Sequence, residues 1–261
     1  MAAASLGGLS ALRECFDLHL FLAFLPVSLC FATGLSLKMM AVNHFQAGTI
    51  KIVGQLRLPM LALLSTVLLA RKYSVVQWQV IAMITTSCMS FVLLKGQGRH
   101  DSGKRWKWTG LSQLFAWVVL NVLGGIAAER AYKTRGSPFY AQKVSEDFGH
   151  LLVALVMLLV IVPHFNPDEN ILNQKCRPHG FFDSWDARTV VVVIFLFLDA
   201  WIGNMLLKEF SGVTRSVAKA FAISVVYFVS FFYAKDRKRN PALTLVAILV
   251  VQSSLLFAFI Q

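Results

Sequence analysis

The sequence predicts an all-α integral membrane protein, a single bundle of about eight transmembrane helices. Three observations carry this. Of 261 residues, 57% are hydrophobic and 15% charged, with a mean hydropathy of +0.64, whereas a soluble domain carries about 25% charged residues. The apolar residues come in blocks of roughly 18 to 25, which at about 1.5 Å rise per residue match a hydrocarbon layer of about 30 Å. The connections are mostly short, so no soluble domain fits between blocks, and 18–260 reads as one membrane domain behind an N-terminal segment, 1–17.

Taken in order, that N-terminal segment has no basic cluster, and the first block, 18–42, has no A-x-A-like exit, so a cleaved signal is not expected. The second block, 46–70, holds Lys51, Arg57 and Pro59. The third, 76–94, leads into a polar, Gly-containing loop at 95–107. The fourth, 108–128, contains Gly124, Gly125, Ala127 and Ala128, small residues that permit close helix contact. The fifth, 140–163, precedes the second long connection, 164–186. The last three, 187–207, 217–234 and 242–260, are separated by short basic connections, including Lys235 to Arg239. Trp78, Trp106, Trp108 and Trp185 fall at block ends, where an interfacial aromatic belt belongs. Transmembrane strands would alternate polar and apolar over about ten residues, and these blocks are apolar all round.

Several function classes drop out. Cys15, Cys30, Cys88 and Cys176 form no C-x-x-C pair, so a disulfide or metal framework is not expected. The six histidines are separated, and H-E-x-x-H and G-x-x-x-x-G-K-[ST] are absent, which argues against catalysis, a cofactor and ATP-driven transport. The formal charge of +12 sits in short connections or inside blocks. It therefore points to membrane lipids or an anionic substrate rather than to nucleic acid.

The informative residues are the cations inside apolar blocks, Lys38, Lys51, Arg57, Lys143 and Lys219, with Lys208 and Arg215 at block ends. A charge at mid-bilayer costs from a few to more than ten kcal/mol, so such residues face a bundle interior or a wet cavity. The blocks offer few carboxylates as partners, chiefly Asp199, with Glu146 and Asp147 next. Cations outnumber carboxylates, which makes an anionic ligand a natural missing partner. The plainer alternatives are that Lys38 and Lys143 snorkel to headgroups, or that Asp199 pairs with one cation. Arg57 lies mid-block, where snorkelling is hardest. Pro59 removes a backbone donor two residues later, and either opens the helix toward a cavity or is a packing kink.

Two stretches resemble the nucleotide-sugar transporters of the drug/metabolite transporter superfamily, in their CMP-sialic acid and UDP-galactose branch. Gln55-Leu56-Arg57, Arg71-Lys72 and Gln77-Trp78 are similar to that family's Gln-Leu-Lys, basic pair and Gln-Trp. Gly180-Phe181-Phe182 is followed 28 positions on by Lys208 and seven further by Arg215, as Gly-Phe-Phe is followed by Lys-Tyr-x-Asp-Asn-x-x-Lys-Gly. The resemblance implies a substrate-facing role for Arg57, nucleotide-phosphate contacts at Lys208 and Arg215, and neighbouring places for Gln55 and Lys51. It implies a drug/metabolite-transporter-like fold, a secondary carrier working by antiport, and a Golgi or ER membrane with both termini cytosolic. The raw Lys/Arg count favours the opposite orientation.

The departures are equally specific. Ten spans are usual in the family, so a first helical pair is expected to be missing. Ile50-Lys51 stands for Tyr-Gln, Ala141-Gln142-Lys143 for an Arg-Asn-x-Gln element, Asp199-Ala200 for Gly-Gly, and Ser211 and Ser216 for an Asp and a Gly. Phosphate-directed charge is kept while base- and sugar-reading positions change. This suits an altered substrate. It also suits a carrier-like fold recruited as a structural subunit, with other membrane subunits as partners.

Overall fold

The computed structural model describes residues 14–15, 17–42, 44–45, 47–96, 108–134, 136–161, 186–233 and 241–260. Trp106, Trp185, Cys176, the Gly180-Phe181-Phe182 stretch, most of the 95–107 loop and the Lys235 to Arg239 run lie outside them. The described residues are helical, with no strand among them. In order the helices are α1 (Leu18–Val42), α2 (Ala47–Gln55), α3 (Arg57–Leu68), α4 (Val75–Gly96), α5 (Trp108–Thr134), α6 (Phe139–Val156, continued by a π-helical turn at Met157–Ile161), α7 (Ala187–Glu209), α8 (Gly212–Tyr233) and α9 (Pro241–Ile260).

Among the described residues, seven segments are long and apolar enough to cross a membrane, with α2 and α3 counted together as Thr49–Leu68. They coincide with seven of the eight expected blocks. The remaining block is α6, whose first turns carry Lys143, Glu146 and Asp147. The burial pattern is inside out. α6 buries Gln142, Lys143, Ser145 and Glu146 while exposing Leu151, Leu152 and Leu155, and every residue of α7 from Val190 to Leu198 is exposed. Water would penalise so much bare apolar surface, whereas hydrocarbon accepts it, and the polar groups need internal partners. This is a multi-pass membrane protein.

The chain divides into two compact units. One comprises 37–126 and 211–261. Its main core joins Leu58, Leu61 and Ala62 of α3 to Ile81 and Ile84 of α4, Val122 of α5, Val217 of α8 and Phe257 of α9. A smaller cluster of Ala41, Phe45, Ile50 and Leu114 packs against Trp117. Gly110 permits that contact, because a Cβ there would sit 2.7 Å from His44 Cβ.

The α3–α4 corner is built from local chemistry. Ala70 adopts a left-handed φ of 52°, and the Leu69 and Arg71 N–H groups donate to the Ser65 carbonyl at 3.1 and 3.4 Å, closing α3. α4 then opens on a reciprocal cap. Ser74 Oγ accepts from the Gln77 N–H at 3.2 Å and Gln77 Oε1 accepts from the Ser74 N–H at 2.9 Å.

The other unit comprises 1–36 and 127–210. Leu20, Phe24 and Val27 of α1 pack on Ala128 and Tyr132 of α5, Ala141 of α6 and Leu207 of α7. α6 lies close on α1, since a Cβ at Gly149 would fall 2.5 Å from Ser28 Oγ. That hydroxyl donates to the Glu146 carbonyl at 3.0 Å. Asp186 caps α7, accepting from the Thr189 N–H at 2.9 Å and its hydroxyl at 2.8 Å.

Candidate functional site

Within the first of these units lies a cavity of about 250 Å³. Four helices supply three stripes with helical periodicity: Lys51, Gly54, Gln55 and Leu58 from α2 and α3, Trp117, Val118 and Asn121 from α5, and Ser216, Lys219, Ala220 and Ile223 from α8. Arg57 joins the lining from the start of α3.

The position of Arg57 follows from Pro59. Proline has no N–H to give the carbonyl four residues back, which is that of Gln55, and its ring crowds that same oxygen. The hydrogen-bond ladder is interrupted between them, while Leu56 keeps a helical φ of −61° and ψ of −16°. Leu56 is a lone turn residue whose N–H donates to Val53 at 3.1 Å, and bonding resumes with the Met60 N–H on Leu56 at 3.2 Å. Gln55 and Arg57 therefore flank an interruption at membrane depth, the kind of irregular backbone that occurs where it lines a cavity or is buried in protein.

The lining holds three cations, Lys51, Arg57 and Lys219, and no carboxylate. Arg57 Nη1 donates to Asn121 Oδ1 at a long 3.5 Å. Trp117 forms a flat wall. Gly54 lets it approach, since a Cβ there would lie 3.0 Å from the ring's Cη2, and Lys38 Nζ stands 5.2 Å from the ring centroid. Lys38 thus contributes a cation–π contact beside the site. Arginine offers a planar fork for bidentate phosphate contacts, lysine a point charge, and the amides of Gln55 and Asn121 both donate and accept. The arrangement suits an anion with polar substituents. Its volume is below the roughly 300–1,000 Å³ of a site enclosing a whole drug-sized ligand.

Of the residues singled out in the sequence, Lys51, Gln55 and Arg57 come together here. Arg215 is half-buried in the first turn of α8 and lies outside the lining, although Ser216 and Lys219 beside it line the cavity. Lys208 ends α7 in the other unit, where its ammonium donates to the Ser137 carbonyl at 3.3 Å and to Gln142 Oε1 at 3.2 Å. Lys219 was visible only as an unexplained cation in an apolar block, and the signal that places it is its position one turn beyond Arg215. Trp117 and Asn121 gave no signal, being ordinary residues of a spanning helix. Lys143 neither snorkels nor waits for a ligand. Its side chain is 2% exposed and its ammonium lies 2.5 Å from Asp147 Oδ1 and 3.3 Å from Glu146 Oε2. That partnership was legible as an i, i+3 and i+4 spacing.

Comparison with known proteins agrees with this architecture. A family profile described as nucleotide-sugar transporter matches residues 21–258. The chain is 20% identical over 227 residues to the human UDP-N-acetylglucosamine transporter, covering 86% of this chain and 66% of that protein. It is 22% identical over 236 residues to UDP-galactose translocator 1 of Caenorhabditis elegans, covering 88% of this chain and 63% of that protein. It thus spans about two thirds of the length of these curated relatives. With the profile matching nearly its whole length, the chain belongs to the nucleotide-sugar transporter family, a family of membrane transporters and not of enzymes.

Proposed function

We propose that this chain is a secondary carrier that exchanges a nucleotide-linked, phosphate-bearing anion across a Golgi or ER membrane, by antiport. The observation that carries the reading is the cavity at the Pro59 helix break, with Arg57, Lys51 and Lys219 around it and no carboxylate in its lining. Cations at that depth face a bundle interior or a wet cavity, and a cavity lined by them draws an anion. Arg57 grips phosphate oxygens with its fork, and Lys51 and Gln55 flank it; a phosphate-directed role for Lys208 and Arg215 is supported by their motif spacing alone, since neither lines this cavity. The names of the relatives put UDP-linked sugars first among substrates to try.

The test is counterflow into proteoliposomes preloaded with a nucleotide sugar, alongside thermal melting of the purified protein. Wild type should exchange label, Arg57→Ala should lose exchange, and Arg57→Lys should keep part of it, because charge remains while the fork is gone. A ligand at about a hundred times its dissociation constant adds roughly 2.7 kcal/mol of stability. A melting temperature indifferent to millimolar CMP-, UDP- and GDP-sugars overturns the carrier reading and favours that of a structural subunit.

A further inference from the structure

The second unit, 1–36 and 127–210, buries a polar cluster for which carriage by the cavity residues has no use. Glu146, 1% exposed, receives three donors on Oε2: the Tyr132 hydroxyl at 2.5 Å, Asn204 Nδ2 at 2.6 Å and the Lys143 ammonium at 3.3 Å. Lys143 also holds Asp147, whose side chain is 43% exposed. Around them stand the Glu129–Lys133 pair at 3.0 Å on α5 and the half-buried His150 one turn along α6.

Lys208 is tied to this cluster through two elements. Asn204, which donates to Glu146, lies one turn before Lys208 on α7, about 6 Å along the axis. Gln142, which accepts from Lys208, immediately precedes Lys143 on α6. Among the described residues Lys208 donates to a neutral carbonyl and a neutral amide, whereas Lys143 faces two carboxylates. A buried carboxylate attracts any cation within reach, since the interior screens charge weakly. Without Lys143, the donors left to Glu146 among the described residues are the neutral Tyr132 and Asn204, and Lys208, one turn from Asn204, is the candidate replacement.

We propose that Lys143 is a positioning residue: by holding Glu146 and Asp147 it keeps those carboxylates from Lys208 and leaves the Lys208 ammonium available to a phosphate-bearing ligand. The identity of that ligand rests on the function proposed above, but the availability of the ammonium does not.

Pyridoxal 5′-phosphate is a suitable probe, because it carries a phosphate and an aldehyde that condenses with a lysine amine, losing water. Borohydride then reduces the imine, and mass spectrometry of the full chain in detergent reads the labelling of Lys208. Lys143→Met should cut that labelling at least about tenfold, because a carboxylate paired with the Lys208 ammonium in a weakly screening interior holds it from the aldehyde. Glu146→Gln should leave it unchanged or raise it, and the triple variant Lys143→Met, Glu146→Gln, Asp147→Asn, which removes both carboxylates, should restore it. A merely structural cluster would lower labelling in both single variants, so a fall in Glu146→Gln overturns the proposal, as does an unchanged Lys143→Met or an unrestored triple variant. Should Lys143→Met not fold, Glu146→Gln alone still decides. A wild type that labels at Lys208 and whose variants behave as stated, yet binds no nucleotide sugar, removes the proposed function and leaves this inference standing.

Discussion

At the scale of single residues, several departures from the family pattern have a local physical reason. Ser211 stands where the resemblance has an aspartate, and its hydroxyl caps α8 by accepting from the Thr214 N–H at 3.1 Å. A serine does that work as well as an aspartate does. Gln77, part of a matching motif, is half of the cap that opens α4. Asp186 offers a residue-scale prediction. The Thr189 N–H, and next its hydroxyl, hold the Asp186 carboxyl below its usual value. A depressed carboxylate contributes stability that is present above the unfolded value, about 3.9, and is lost as pH falls through the folded one. The first turn of α7 should therefore loosen below about pH 4, seen as faster hydrogen exchange at Val190. Asp186→Asn should keep the cap and lose the pH dependence. An equal pH response in both proteins would assign it to another group. Charge was the legible part of the site, because Lys51, Arg57 and Lys219 are conspicuous in apolar blocks. The neutral wall of Trp117 and Asn121 was not, since nothing separates such residues from ordinary packing until the helices are assembled.

At the scale of elements, the sequence carried helix positions well and helix interruptions partly. Block lengths located seven spans because hydrocarbon thickness fixes them. Pro59 announced a disturbance, but the choice between a kink and an opening depends on what packs beside it, and that is tertiary information. The break at Leu56 leads to a direct expectation. Pro59→Ala returns an N–H to the Gln55 carbonyl and relieves the ring contact, so α2 and α3 should fuse and the protein should melt higher, by roughly 1–3 kcal/mol. Completing the ladder stiffens the turn between Gln55 and Arg57 at the cavity wall, so binding of a UDP-sugar should weaken at the same time. Stability and affinity moving in opposite directions is the signature to look for in paired melting and binding titrations. A variant that loses stability would show that the break is imposed by surrounding helices rather than by proline.

At the scale of the whole molecule, the question that composition left open is whether α6 crosses the membrane. It carries Lys143, Glu146 and Asp147, and by hydropathy alone it falls short of the other spans. The packing argues that it crosses. Gln142, Lys143 and Glu146 are buried against α1, α5 and α7 with partners in place, while Phe148, Leu151, Leu152 and Leu155 are 41–56% exposed. Hydropathy averages over both faces of a helix, but only the outer face meets lipid. With its π-helical continuation it runs from Phe139 to Ile161, about 1.5 Å per residue and so long enough for a layer of about 30 Å. If α6 crosses, the chain returns through α7, and the α5–α6 corner shares a side with the end of α7. Single cysteines at Thr134 and Phe210, in a background without Cys15, Cys30, Cys88 and Cys176, should then react with an impermeant maleimide from the same face of sealed vesicles. Labelling from opposite faces would mean that α6 lies along the membrane surface. The buried pair Lys143–Glu146 would then sit at an interface where water screens it, and the argument that it frees Lys208 for an anion would lose its weakly screening surroundings.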